Sequence, residues 1–200
     1  SMLADDVNGS RLERCKDGIT LLIDNLEGTR FSFTLFKGDG VVYIPLTEDT
    51  IALKNLINPV HPGMISSSGS DLESALKKAH STLADNQERN RAIFLFTDGE
   101  SLSGNPMPFV RELNNKNIRI FIYGVGGVEQ GSPINLGDNK FLKDDEGETV
   151  LTSQNASFLE EMARVSKGEY INLSDIQVLG EMGQNISSVY NLMETRGVKF

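Results

Sequence analysis

Three short stretches of this chain carry oxygen donors that could do chemistry. They are SMLADD at residues 1–6, SSSGSD at 66–71, and TDGE at 97–100, which follows the apolar run IFLF. Together they offer hydroxyls and carboxylates, with no thiolate and no imidazole. Hard donors of this kind suit Mg2+ or Mn2+ in octahedral geometry and not Zn2+. Mg2+ keeps several of its waters, so short Ser and Asp side chains can hold it partly through water. That arrangement leaves a position for a carboxylate from outside. Plainer readings stand beside the chemical one. Asp98-Gly99 is also a common turn pair, Ser70 with Glu73 reads as a helix capping box, and Asp5 and Asp6 read as solvated loop acids. Asp144, Asp145, Glu146 and Glu148 lack the spacing of a calcium loop and read as a hairpin turn around Gly147.

The elements that must position these stretches follow from periodicity. Leu12, Cys15, Ile19, Leu22, Ile23 and Leu26 recur at helical spacing behind Ser10 and Glu13, a capping pair. RFSFTLF at 30–36 and VVYIPL at 41–46 flank the turn KGDG and predict a β-hairpin, with Pro45 marking an edge strand. Residues 47–57 predict a short helix, and 71–83 a longer one with Leu72, Ala75, Leu76, Ala79 and Leu83 on one face. RAIFLFT at 91–97 and IRIFIYGVG at 118–126 read as strands buried on both faces. Helices are predicted over 106–115, 158–165 and 176–193, a small hairpin over 131–152, and a last strand in GEYINL at 168–173. Buried strands alternating with amphipathic helices predict a parallel sheet covered on both faces. Ligands of such sheets sit outside the carboxyl ends of the strands, where all three oxygen-rich stretches should meet. YGVGGVEQG is glycine-rich but opens no helix, so it is weak as a nucleotide site.

Composition narrows the function classes. With 28 acidic and 19 basic residues the net charge is −9, which argues against nucleic acid or an anionic membrane as the main partner. The single cysteine, Cys15, excludes an intrachain disulfide and a zinc site built on two or more thiolates. His61 and His80 read as surface or packing residues. No apolar run approaches the roughly 18 residues of a membrane span. A Mg2+-dependent phosphohydrolase would need a nucleophile or an activated water and a cation for the phosphoryl charge. No aspartate nucleophile, lysine or histidine is placed convincingly at a strand end.

SMLADDV with SRLERCK, PLTEDT, GSDLESALKKA, FTDGES, and YGVG with GSPINL and FLKDDEGETVLT resemble, in that order, a von Willebrand factor type A domain. More narrowly they are similar to the type found in bacterial aerotolerance (Bat) proteins. The resemblance runs over residues 1–175. It implies an α/β, doubly wound, Rossmann-like fold: a mostly parallel sheet flanked by helices, with one antiparallel edge strand. Residues 176–200 are then an amphipathic helix and tail packed on the domain. It also implies a metal-ion-dependent adhesion site of pattern Asp-x-Ser-x-Ser, Thr and Asp in three successive loops. Ser1 matches the last Ser of the first loop, Ser70 stands where Thr is usual, and Asp98 matches the third-loop Asp. The first-loop Asp, its first Ser and the first, central strand fall before residue 1, so they are expected to be absent here and metal binding to be weak. Asp5 or Asp6 could partly replace the missing carboxylate. The implied function is a non-catalytic protein–protein interaction module in which Mg2+ or Mn2+ binds a partner's exposed Asp or Glu. The implied partners are other Bat-type proteins or a MoxR-type AAA+ ATPase. The implied location is the bacterial envelope, on the periplasmic side, with membrane spans outside this chain. A metal-independent interaction domain is the main alternative and the phosphohydrolase a lesser one.

Overall fold

A computed structural model describes residues 1–173 except 8, 68, 84–89, 102, 129–130 and 139. The helix expected over 176–193, and with it the whole 176–200 segment, lies outside the described residues. Helix α1 (Arg11–Asn25) starts where Ser10 Oγ accepts the Glu13 amide at 3.2 Å. The capping box closes on that side only, because the Glu13 carboxylate instead takes Lys16 at 2.9 Å. Strands β1 (Phe31–Phe36) and β2 (Gly40–Thr47) form the expected antiparallel hairpin. Helix α2 (Thr50–Ile57) begins three residues later than the sequence suggests. Asp49 caps it by accepting the Ala52 amide at 2.8 Å, and a short carboxylate is a strong start signal. A single 3-10 turn (Pro62–Met64) leads through the Ser-rich loop into α3 (Leu72–Thr82), which buries Leu72, Ala75 and Leu76 as expected.

Strands β3 (Ala92–Thr97), β4 (Arg119–Gly124) and β7 (Tyr170–Asn172) form a parallel sheet in the order β3-β4-β7. Helix α4 (Met107–Asn115) links β3 to β4, and α5 (Ala156–Ser166) precedes β7. One face of this sheet packs Ile93, Leu95, Ile120 and Ile122 against α3, α4 and α5. The other packs Phe121 and Tyr123 against Leu22 of α1 and Leu26 just beyond it. Helices therefore cover both faces, the arrangement that a run of apolar strands requires. Between β4 and α5, strands β5 (Ser132–Pro133) and β6 (Leu151–Thr152) pair antiparallel. The excursion between them folds back twice, at 137–140 and at Asp144–Gly147, and not once as expected.

The hairpin does not join the parallel sheet. β1 pairs only with β2 and β3 only with β4, so each has one edge without a strand partner among the described residues. These two edges flank a cavity of 1060 Å³ lined by Phe31–Lys37 on one side and Ala92–Thr97 on the other. A six-residue strand, ~20 Å long, ~4.8 Å wide and ~10 Å thick, occupies roughly 950 Å³. The gap therefore has the size of one strand and lies where the expected first strand would run. Helices hold the two half-sheets together across it. α3 packs on both β1 and β2 as well as β3, and α1 turns Ile23 toward the hairpin cluster while Leu22 faces Phe121 and Tyr123. The burial of β3 alternates, with Phe94 and Phe96, on the face turned to α1, only partly covered, where unbroken burial was expected.

The parallel sheet and its helices form the larger core cluster, so its packing should dominate stability. Leu113, fully buried between α4 and the sheet, leaves a cavity on truncation. Leu113→Ala is expected to cost ~3 kcal/mol in urea unfolding, and an unchanged midpoint would contradict this view of the core.

Candidate functional site

The loop after β3 is where the three oxygen-rich stretches meet. Asp98 follows the last residue of β3 and is 4% exposed. Its Oδ1 accepts the Glu100 amide at 3.2 Å, Thr97 Oγ1 accepts the Gly99 amide at 3.1 Å, and its carbonyl accepts the Asn155 amide at 2.8 Å. Gly99 sits at φ +79, a conformation that glycine reaches without strain. The plain reading of Asp98-Gly99 as a turn is therefore correct, and the turn also aims the carboxylate inward. Ser70 Oγ donates to the Glu100 carbonyl at 2.6 Å, and the Ser70 carbonyl accepts the Ser103 amide at 3.2 Å. Ser70 is thus not the cap of α3, contrary to the sequence reading. Asp71 holds that position, with Oδ1 accepting the Ser74 amide at 2.9 Å, and Glu73 reaches Lys77 at 2.6 Å and the Asn105 amide at 3.2 Å. Ser1, Ser70, Asp98 and Glu100 all line the same cavity.

A residue that the sequence reading passed over organises this cluster. Arg11, the first residue of α1, is 0% exposed. Its Nη1 donates to Asp98 Oδ2 at 3.2 Å and to Thr152 Oγ1 at 3.2 Å. Its Nη2 donates to Asp6 Oδ2 at 2.7 Å and to the Thr152 carbonyl at 3.0 Å, and its Nε to Asp6 Oδ1 at 2.9 Å. A guanidinium has five N–H donors in a fixed fork, and all five are used. Gly126, at φ +116, lies against the guanidinium, where a Cβ would meet Arg11 Cζ at 2.6 Å. Asp6 Oδ2 also accepts the Gly127 amide at 2.9 Å, and Thr152 Oγ1 donates to Glu100 Oε1 at 2.7 Å. Asp6 is therefore neither a solvated loop acid nor a stand-in metal ligand: the guanidinium takes both of its oxygens. Asp5 stays exposed and approaches Asn135 at 3.4 Å. The sequence did hold one signal, an arginine at the opening of an apolar helix five residues after an acid pair. Nothing in its spacing distinguished it from a surface cation.

The donors expected to hold a metal are Ser1, Ser70 and Asp98. Two hydroxyls and a carboxylate are the right type for Mg2+. However, the set brings one carboxylate, and that carboxylate already accepts a charged N–H from Arg11. No group of three or more His, Cys, Asp or Glu is arranged to hold a metal ion among the described residues. These three residues do not fit a self-sufficient divalent site. Cys15 adds no soft ligand, because burial pushes its thiol pKa up.

The same network gives a pH signature. Burial alone would raise the Asp6 pKa, but the Arg11 guanidinium and the Gly127 amide outweigh it and hold the carboxyl at about 2 against an ordinary 3.8. A carboxylate whose pKa is lower in the folded state stabilises the fold above its unfolded pKa, and that stability is lost as pH falls through the folded pKa. Asp6→Asn should therefore lower stability at neutral pH, and its deficit relative to wild type should shrink between pH 3.8 and about 2. Urea unfolding across that range checks this; a deficit that does not change with pH would show that the charge is not what matters.

Comparison with known proteins bears on the fold. The profile of the von Willebrand factor type A domain matches residues 1–100. No match is found among curated proteins. The chain is similar to the conserved hypothetical protein BatB of Bacteroides thetaiotaomicron, with 32% identity over 96% of this chain and 94% of that one and a TM-score of 0.88. It is also similar to an aerotolerance-related membrane protein of Bacteroides fragilis NCTC 9343, with 31% identity over 94% of each chain and a TM-score of 0.86. Proximal thread matrix protein 1 of the mussel byssus, described with a zinc-occupied adhesion motif, shares the fold at 16% identity, covering 91% of this chain and 42% of that one, with a TM-score of 0.59. The family profile over residues 1–100 and the two Bacteroides relatives, over nearly the whole length of each, agree with the helix-covered parallel sheet: this chain belongs to the von Willebrand factor type A domain family, alongside the bacterial aerotolerance-related proteins.

Proposed function

We propose that this chain is a non-catalytic protein–protein interaction module of a bacterial envelope protein, and that its recognition face is the loop cluster around Asp98. The observation that carries this reading is the convergence of Ser1, Ser70 and Asp98, from three separate segments, on one cavity at the carboxyl end of β3. Direct and relayed hydrogen bonds fix the cluster: Ser70 to Glu100, Glu100 to Thr152, and Thr152 and Asp98 to Arg11. A face held this rigidly loses little entropy when a partner docks. The description of one relative as a membrane protein supports an envelope location. No helix among the described residues is long and apolar enough to cross a membrane; the reading takes the domain to lie on the periplasmic side and to be anchored by spans outside this chain. Other Bat-type proteins or a MoxR-type AAA+ ATPase are the proposed partners.

In the metal-dependent form of this reading, Ser1, Ser70 and Asp98 would help to hold Mg2+ or Mn2+, and the ion would supply the positive charge that a partner's Asp or Glu binds. The three donors do not suffice alone, so this form needs further ligands beyond them. The metal-independent form is favoured by one specific observation, the Arg11 contact to Asp98. Binding to a Bat-type partner, measured with Mg2+ and then with EDTA, separates the two. Asp98→Ala is expected to weaken binding about tenfold or more, about 1.4 kcal/mol, in either form. Loss with EDTA marks the metal-dependent form. Binding unchanged by Asp98→Ala would show that this face is not the recognition surface.

A further inference from the structure

We propose that the Arg11 guanidinium is the resident cation of this centre and sets its selectivity against divalent ions. The argument is geometric. Arg11 is wholly buried, all five of its N–H donors are placed, and they join three elements and the opening loop: α1 itself, Asp6 of the opening loop, Asp98 after β3, and Thr152 of β6. A divalent ion in such a loop cluster does the same work, neutralising acids that the fold brings together and tying their segments in place. Here a side chain already ties those segments together and answers part of their charge. The cradle is built for a planar fork: Gly126 leaves room for the guanidinium where any Cβ would strike it, and the Gly127 amide donates to the Asp6 Oδ2 that Arg11 Nη2 also reaches. A guanidinium stays charged at any physiological pH, so the positive charge it brings is permanent. A divalent ion approaching Asp98 meets a carboxylate already paired, with a fixed positive charge 3.2 Å from its Oδ2.

The inference concerns the same loop cluster as the proposed function but does not depend on partner binding. Mn2+ is titrated by calorimetry into the unaltered chain, Arg11→Gln and Arg11→Lys, with folding of each checked by circular dichroism. Lysine keeps the charge and loses the fork, so it separates charge from shape. Mn2+ binding is expected to be weak in the unaltered chain and in Arg11→Lys, and at least about tenfold tighter in Arg11→Gln, about 1.4 kcal/mol. Equal affinity in folded wild type and folded Arg11→Gln overturns the inference. If Arg11→Gln does not fold, the unaltered chain decides. The NMR resonance of the buried Arg11 Nε–H is followed as Mg2+ rises to millimolar levels. It is expected to stay in place, and a saturable displacement overturns the inference. Tight Mn2+ binding by the unaltered chain that Asp98→Ala abolishes also overturns it, while supporting the metal-dependent form of the function. A chain that binds no Bat-type partner yet gains Mn2+ affinity on Arg11→Gln supports the inference and refutes that function.

Discussion

A buried arginine sets the terms for this end of the molecule. Removing a guanidinium from water costs several kcal/mol unless its charge and every donor are answered. The fold answers Arg11 with two carboxylates, a hydroxyl and a carbonyl, and those groups come from parts of the chain as far apart as residues 6 and 152. None of them can drift without leaving a buried N–H of Arg11 unanswered. The opening loop, the start of α1, the turn after β3 and the short strand β6 are therefore locked to one another by one side chain. Turn chemistry then propagates the order outward, from Asp98 to Glu100 and from Glu100 to Ser70. What looks in sequence like three independent acidic loops is one connected polar network.

The sheet poses the opposite problem. Its two half-sheets are not bonded to each other, and the cohesion across the gap comes from α1 on one face and α3 on the other. Apolar side chains carry that cohesion without direction, so the strand edges themselves are not zipped. Phe94 and Phe96 show the consequence. They stack on Phe121 and Tyr123, with ring centroids 5.3 and 4.7 Å apart, yet stay only partly covered on the cavity side. The rigid polar cluster sits at the mouth of this gap, and Ser1, Ser70 and Asp98 line both.

Much of this was legible in the residues. Leu72, Ala75 and Leu76 declare the buried face of α3 by spacing alone. The apolar run before Thr97 declares a strand, and Thr-Asp-Gly-Glu declares where it stops. The limits of legibility have physical causes. A cap is decided by backbone geometry, so Ser70 and Asp71 compete on equal terms in sequence. In the fold Asp71 has the extended backbone and the free oxygen, while Ser70 is turned toward Glu100. Unbroken burial of β3 was a sound expectation for an interior strand and fails on the face turned to α1, where Phe94 and Phe96 are less covered than Ile93 and Leu95 on the other. Arg11 was invisible for a different reason. Its partners lie 5, 87 and 141 residues away, and no local pattern can show a cation that only tertiary folding surrounds with acids.

The charge arithmetic of the cluster constrains what can bind it. The Arg11 guanidinium is shared between Asp6 and Asp98, and Asp6 takes both of its closest contacts, at 2.7 and 2.9 Å. Asp98 is held by the longer one, at 3.2 Å, and Glu100 reaches the network only through the neutral Thr152 hydroxyl. The centre therefore keeps excess negative charge, in a chain whose net charge is already −9. A partner's carboxylate brought against such a face is repelled unless a further cation lies between them. An acidic partner and a metal-free site are for this reason hard to reconcile. If the face binds without metal, complementarity favours a partner that brings hydrogen-bond donors or a basic side chain. If it binds an Asp or Glu, the extra positive charge has to come from an ion whose remaining ligands lie beyond Ser1, Ser70 and Asp98.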